Sequence, residues 1–482
     1  MASNVLGGPL LLNVPNVYFP PSRLGRRGAA REAARMFRPN KPGNPVTAEE
    51  MEEMTALDVS RLQPAPDHPA LSPEPPGDRF GRFLEEQTAL VQAQGKKLSS
   101  FDFAFARRIL YYDELKEDAT SPKITAKDRY GMKWKVKWGD EVHTDVALTR
   151  LYIDLGGVYT DLKFYSGPGE TLLILDPPGK KKEGVRTFAD LADLLLASKF
   201  QFHADRYLLP EPVLTGNDGR VLGTGQVDQE MIDRESLDPK YLGAYYVAFK
   251  ELQLSFFNPA IKRLGGAALG NVGAVEDRVA RGSLVFNAWI KNKDMKDDNS
   301  RVGLLYNPGT GAFDRFVEFQ SDLGCTLGAL KPSGELNSFE KSFVTYMTTT
   351  INFTMKPLYI PKAWKACTWA DARWMALRIA ALSRADLEHC FADSGWPVFA
   401  QKVAVERLLN RRNELVEAFR LGEDGVKPIP CDPDFDFPVK TKQGTDFPVK
   451  NGKINDRSAI VRELEETVHP EGLAKVISRK ND

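Results

Sequence analysis

Apolar and polar residues alternate with period two in Lys133-Trp-Lys-Val-Lys-Trp138, which predicts a strand with one face buried and the other turned outward. Gly139 ends that pattern. From Asp140, read as a cap, the apolar positions Val142, Val146, Ala147 and Leu151 recur at helical spacing. Strand patterns dominate from about residue 120 to 257, with Tyr245 to Phe257 as one long strand and a short helix near Thr187 to Ser198. Beyond about residue 270 the period becomes helical. Val275, Val279, Phe286, Trp289 and Ile290 mark one face of a long helix, and the spacing returns in Trp369 to Leu382, Val403 to Phe419 and Ala459 to Val468. Inside this half, Ser300 to Tyr306 and Phe313 to Phe319 flank Asn307-Pro-Gly-Thr-Gly-Ala312, and Pro with Gly between two strands predicts a β-hairpin. Sheet first and helices second predicts an α+β fold of two lobes with a cleft between them.

Residues 1–98 break the pattern. Proline clusters at Pro20-Pro21, Pro39 to Pro45 and Pro64 to Pro76 predict an extended, Pro-rich N-terminal segment, because proline at that density defeats helices and sheets. It carries a basic arm, Arg23, Arg26, Arg27, Arg31, Arg35, Arg38 and Lys41, whose only acidic residue is Glu32, and then an acidic stretch from Thr47 to Met54. The arm suits anionic lipid or RNA, although such an arm is more often a solvated helix or docks on its own protein. The expected division is therefore 1–98 extended, 99–257 a strand-rich N-lobe with insertions, 258–425 a mainly helical C-lobe, and 426–482 a tail. In the tail, Asp436-Phe-Pro-Val-Lys440 recurs as Asp446-Phe-Pro-Val-Lys450, a local duplication read as short strands around Gly444.

Composition narrows the function classes. Lys plus Arg and Asp plus Glu each total 65, so there is no bulk electrostatic pull toward nucleic acid or membrane. Cys325, Cys367, Cys390 and Cys431 form no CxxC pair, which argues against a disulfide framework and a zinc ribbon. The five histidines show no HxxxH or HExxH grouping and read as packing or surface residues. No apolar run approaches the roughly 20 residues of a membrane span. The start lacks a basic n-region and is broken by Pro9 and Pro15, a poor match to a signal peptide, so the chain reads as soluble.

The chemistry concentrates in Trp289-Ile-Lys-Asn-Lys-Asp294-Met-Lys296-Asp-Asp-Asn299, which closes the long helix and holds a D-x-K-x-x-N pattern. The predicted hairpin follows and runs into Ser321-Asp322-Leu-Gly324. Asp294 would orient an acceptor hydroxyl and take its proton, with Lys296 reaching the transferring phosphate. Asn299 and Asp322 supply oxygen ligands that suit Mg²⁺, and Gly324 allows a sharp turn after the metal ligand. Upstream, Lys137 ends the alternating strand and Glu141 opens the next helix, the places where a phosphate-gripping lysine and its carboxylate partner are needed. Lys135 shares the strand face and competes for the lysine role, and Asp145 competes for the carboxylate role. A Lys- and Asp-rich surface loop with an exposed cationic strand is the bland alternative. The order of all four elements weighs against it.

That order resembles the atypical protein-kinase-like families, HipA-like and phosphoinositide-kinase-like, and is similar to bacterial kinase-like proteins over roughly residues 100 to 420. The resemblance implies a two-lobed protein-kinase-like fold with ATP and Mg²⁺ as cofactors. It implies Lys137 on the ATP phosphates, Glu141 as its ion-pair partner, Asp294 as catalytic base, and Asn299 and Asp322 as metal ligands. The expected activity is Mg-ATP-dependent phosphotransfer to a hydroxyl on a protein or small molecule. Several features depart from the pattern. No GxGxxG precedes Lys137, and only Gly131 lies in the expected hairpin; Asn292 and Lys293 replace the HRD histidine and arginine; no APE-type segment follows Gly324. The alternatives are a pseudokinase or interaction module on the same fold, an adenylyl transferase with the nucleotide reversed, and a structural α+β protein.

Overall fold

The computed structural model describes residues 79–432 except 116–122, 140, 156–158, 180–183, 198–207, 210–212, 216–219, 223–224, 267–277, 297–298, 328–338, 348–349, 356, 358 and 397, together with short strands at 16–18, 37–38, 41–45, 440–441, 444–445, 449–450 and 453–454. Arg23 to Arg35 of the basic arm, the acidic stretch from Thr47 and the helix expected from Ala459 lie outside the described residues. Lys440–Thr441 pairs with Gly444–Thr445, and Val449–Lys450 with Lys453–Ile454, which matches the short strands expected around Gly444.

The architecture is mixed α+β and rests on two principal hydrophobic cores. Helix Arg79–Gln92 (α1) leads into the first core, a sheet. Ile109–Leu115 (β1), Lys123–Asp128 (β2) and Lys133–Lys137 (β3) form an antiparallel meander, followed by helix Val142–Leu155 (α2). Next come Tyr159–Thr160 (β4), Lys163–Ser166 (β5), Leu172–Ile174 (β6), helix Phe188–Ala197 (α3), Leu208–Leu209 (β7) and helix Gln229–Glu235 (α4). Tyr245–Phe249 (β8) and Leu252–Phe256 (β9) complete the sheet, whose order is β7-β8-β6-β1-β2-β3-β9-β5 with Gly225–Gln226 also paired to β8. Period two places Ile124, Ala126, Trp134, Val136 and Leu254 on one face, all 0% exposed. Phe101, Phe103, Trp134 and Phe256 cluster there; Phe103 meets Phe256 edge-on at 4.9 Å, and Trp134 lies 4.9 Å from Phe256.

Two expectations change here. The apolar run Tyr245 to Phe257 is two strands, divided at Lys250-Glu251: β8 pairs with β6, while β9 inserts between β3 and β5. A continuous apolar run records burial on both faces and does not say which neighbour each part pairs with. The compact body also begins before residue 99, because α1 packs against α2 and adds Phe80 and Val91 to the sheet core.

The second core is built on helices Arg278–Trp289 (α5), Trp369–Ala380 (α6), Arg384–Ala392 (α7) and Val398–Ala418 (α8). The predicted long helix is α5, and Leu284, Val285, Phe286, Ala288 and Trp289 are all buried. Thr368 and Asp371 form a reciprocal capping box on α6. The other oxygen edge of that junction carries Arg281, whose guanidinium reaches both Asp371 oxygens at 2.7 and 3.0 Å and ties α5 to α6. A small sheet in the order β10-β11-β12-β4, where Ile261–Gly266 is β10, Ser300–Asn307 is β11 and Ala312–Gln320 is β12, packs Ile261, Leu305, Val317 and Phe319 with Leu90 of α1 in a cluster of its own. The expected hairpin is β11–β12, with Ser300 opposite Gln320. Asn16–Tyr18 pairs antiparallel with Thr350–Phe353 and buries Val17 in the second core. Among the described residues no helix is long and apolar enough to cross a membrane, and the four cysteines are free thiols.

Candidate functional site

One face of the sheet is polar. Lys123 stands opposite Lys137, and Thr125 opposite Lys135. On the other side of β3, Gln253 stands opposite Lys137 and Ser255 opposite Lys135, with Lys163 opposite Ser255 in turn. Directly opposed residues share a face, so four lysines lie on the side away from Trp134 and Val136. Helix α2 covers part of this face and brings the balancing carboxylates. The Lys137 ammonium makes an ion pair with Glu141 and lies 3.7 Å from Asp145 Oδ2 and 3.7 Å from Asp322 Oδ1. Burial alone would lower the Lys137 pKa, but Asp322, Asp145 and Glu141 outweigh it and raise it.

Asp145 does more than compete for Lys137. Its Oδ1 accepts from Lys163 Nζ at 2.5 Å and from the Leu323 amide at 2.9 Å. Lys163 is 1% exposed and Asp145 is 2% exposed, so this is a buried pair that joins β5, α2 and the Asp322-Leu-Gly324 turn. Sequence reasoning did not single out Lys163. Its only signal is a lysine set among the apolar positions of β5.

The loop after α5 is shaped by its helix end. Arg411 from α8 donates to the carbonyls of Ala288 at 2.6 Å and Trp289 at 2.7 Å at the helix end, the first of which also accepts from the Lys291 amide at 3.0 Å. Lys291 then adopts φ 54° and turns the chain. Asn292, 1% exposed, organises the loop: its Nδ2 donates to Asn287 Oδ1 at 3.0 Å, and its Oδ1 accepts from the Asp294 amide at 3.2 Å. Asp294 Oδ2 accepts from Lys296 Nζ and Asn299 Nδ2, each at 3.1 Å. Asn299 Nδ2 also donates to the Asp294 carbonyl at 2.7 Å.

The hairpin brings the two ends together. Asn299 precedes β11 and Ser321 follows β12, and the Ser321 amide donates to the Asn299 carbonyl at 2.9 Å. The Leu327 amide donates to the Ile290 carbonyl at 2.9 Å, so the loop from Ile290 runs beside the turn holding Asp322. Burial would raise the Asp322 pKa, but Lys137, Lys163 and Lys135 outweigh it and hold the carboxyl below the usual carboxylate range. About a third of its side chain stays accessible (34%), which leaves room for a ligand. Burial lowers the Lys135 pKa to about 8, with Asp322 acting in the opposite sense. The Cys325 thiol is pushed up to about 12 by burial and by Glu141, Asp322 and Asp294, which disfavours the thiolate near neutral pH.

Lys137, Glu141, Asp294, Lys296, Asn299 and Asp322 thus come from separate segments to one region. Lys137 takes the central position rather than Lys135, and Glu141 is its ion-pair partner. Gly324 serves a different purpose from the one expected. Its φ is outside the left-handed region, and what matters is clearance: an added Cβ would lie 2.6 Å from Glu141 Oε2 and 3.0 Å from Glu141 Cβ. Gly324→Ala is therefore expected to displace Glu141 from Lys137 and cost about 1–3 kcal/mol of stability, read from a urea unfolding curve. An unchanged midpoint would show that the turn absorbs the methyl group. Gly131 lies in the β2–β3 hairpin turn, as expected, at the Lys133 end of the strand and away from Lys137. The β1–β2 connection at the Lys137 end is Lys116-Glu-Asp-Ala-Thr-Ser-Pro122, which contains no glycine and lies outside the described residues.

Asn299 Oδ1 and Asp322 Oδ2 accept no hydrogen bond among the described residues, and two such oxygens suit Mg²⁺, which keeps most of its waters. No group of three or more His, Cys, Asp and Glu side chains is arranged to hold a metal among the described residues. Two clefts of about 690 and 670 Å³ lie elsewhere, along β1 and the segment between β5 and β8, with Tyr112, Asp113 and Asp176 common to both. Neither includes Lys137, Asp294, Asn299 or Asp322, so converging charge rather than cavity size defines this site. Compared with protein-family models, curated proteins and solved structures, the chain matches none.

Proposed function

We propose that the protein is a Mg-ATP-dependent phosphotransferase of two-lobed, protein-kinase-like architecture, acting on a hydroxyl acceptor. The observation that carries this reading is the convergence on Lys137 of Glu141 from the following helix and Asp322 from the turn after the hairpin. A lysine on the third strand of the sheet, a glutamate at the next helix and an aspartate after a hairpin are the parts that phosphoryl transfer to a hydroxyl requires.

In this reading Lys137, held by Glu141, binds the phosphate oxygens. Asn299 and Asp322 would hold Mg²⁺, which when bound neutralises charge on the phosphates. Asp294 keeps Oδ2 on Lys296 and Asn299, while Oδ1 accepts no hydrogen bond among the described residues. Oδ1 is then available to take the acceptor's hydroxyl proton as the acceptor oxygen bonds to the terminal phosphorus and the bond to the ADP oxygen breaks.

The test is a thermal-shift titration with ATP and Mg²⁺ on the wild type and on Asp322→Ala. A ligand at a hundredfold excess over Kd adds about 2.7 kcal/mol to folding stability, and this gain should need Mg²⁺ and vanish in the variant. A wild type that shows no metal-dependent shift would overturn the proposal. The glycine-free Lys116–Pro122 connection favours a second reading, a pseudokinase, which predicts the same shift with no turnover. If ATP is consumed, the masses of the products separate phosphoryl from adenylyl transfer.

A further inference from the structure

Lys123 and Lys135 are not used by this mechanism. Both are half-buried, both share the polar sheet face with Lys137, and neither has a carboxylate within 4.0 Å among the described residues. The available carboxylates are committed elsewhere: Glu141 to Lys137, Asp145 to Lys163, and Asp322 to Lys137. Desolvated ammonium groups without partners are costly to keep, and two of them on neighbouring strands are suited to an anion that arrives from solution.

Their placement indicates which part of a ligand they meet. Lys123 extends the Lys137 row across β2, and Lys135 heads the next row with Thr125 and Ser255, 1% and 5% exposed. That second row is the one nearer Phe257–Ala260, where the chain leaves the sheet for β10. Aromatic bases are received by largely apolar walls with a few polar groups. This wall instead presents the half-buried Lys135 ammonium, flanked by the buried Thr125 and by Ser255, whose hydroxyl accepts from Gln253 Nε2 at 2.6 Å, and an ammonium suits an oxyanion.

We propose that Lys123 and Lys135 form an anion subsite beside Lys137, so that the ligand lies along β2 and β3 by a chain of linked phosphates and its recognition does not depend on a base. The inference rests on the phosphotransferase reading and names the class of donor for it: a polyphosphate, free or carried by a nucleoside. Lys137 and Lys123 meet one end of the chain and Lys135 the other.

The experiment is calorimetric titration of the full chain in Mg²⁺ with ATP, with inorganic tripolyphosphate and with AMP. The proteins are the wild type, Lys135→Met and Lys123→Met. Methionine is unbranched, keeps all but one atom of the side chain's length and removes the charge. Tripolyphosphate is expected to bind within about threefold of ATP, and AMP at least about a hundredfold more weakly. Each methionine variant should lose about tenfold in affinity for both triphosphates, with its own melting temperature unchanged or higher because a desolvated charge is gone. ATP binding without tripolyphosphate binding would overturn the subsite and leave the phosphotransferase reading standing. Methionine variants that bind both like the wild type would do the same. If the wild type binds neither triphosphate, the phosphotransferase reading falls and the subsite with it.

Discussion

Replacing Asp294 by asparagine is expected to lower turnover of ATP by a factor of roughly 10²–10⁴, the usual contribution of a positioned general base, while nucleotide binding stays near the wild-type value. The substitution is close to isosteric, and the Asn299 and Lys296 contacts at 3.1 Å fall on one oxygen only, so the loop has a neutral acceptor with which to rebuild them. What disappears is the carboxylate able to receive the acceptor's proton. Steady-state kinetics beside an ATP titration would separate the two effects. A variant that turns over at the wild-type rate would remove Asp294 from the chemistry, and one that loses ATP binding would make it a structural residue of the loop.

The second large effect concerns stability. Asp145→Ala leaves Lys163 buried without its counterion and the Leu323 amide without its acceptor. Removing one member of a buried ion pair typically costs about 3–5 kcal/mol, to be read from urea unfolding. The double variant Asp145→Leu with Lys163→Met should recover the share due to the unpaired Lys163, since apolar replacement of a whole buried pair is often neutral, while the Leu323 amide stays without its acceptor. A single variant that costs under about 1 kcal/mol would mean water reaches Lys163 and relieves it.

Much of the site could be read from residue order because it is built from local patterns. Lys137 followed by Glu141 is a strand end and a helix start four residues apart. Asn299 and Asp322 are joined by a hairpin whose turn residues announce it, and the register Ser300 to Gln320 brings them side by side. What escaped was decided by pairing across long stretches of chain. Lys163 is a single lysine in a strand of four residues, and only the approach of α2 turns it into half of a buried pair. The break of Tyr245 to Phe257 into β8 and β9 was hidden for a similar reason, since buried strands and their neighbours share one apolar vocabulary. Asn292 reads in sequence only as a substitution for a family residue, and its hydrogen bonds to Asn287, Met295 and the Asp294 amide make it the organiser of the loop.

The strand Asn16–Tyr18 has a consequence in time. Its partner, Thr350–Phe353, is made more than 300 residues later. At a synthesis rate of about 5–20 residues per second, the wait on the ribosome is roughly 15–70 s. Throughout it the strand around Val17 lacks its pairing partner and presents an unpaired edge. The large sheet can close well before then, because its last strand, β9, ends at Phe256. The nascent protein therefore passes through a stage in which the sheet is complete while a short apolar strand is still unclaimed. Pulse proteolysis of stalled chains should find the segment around Val17 protected only after residue 353 has left the exit tunnel.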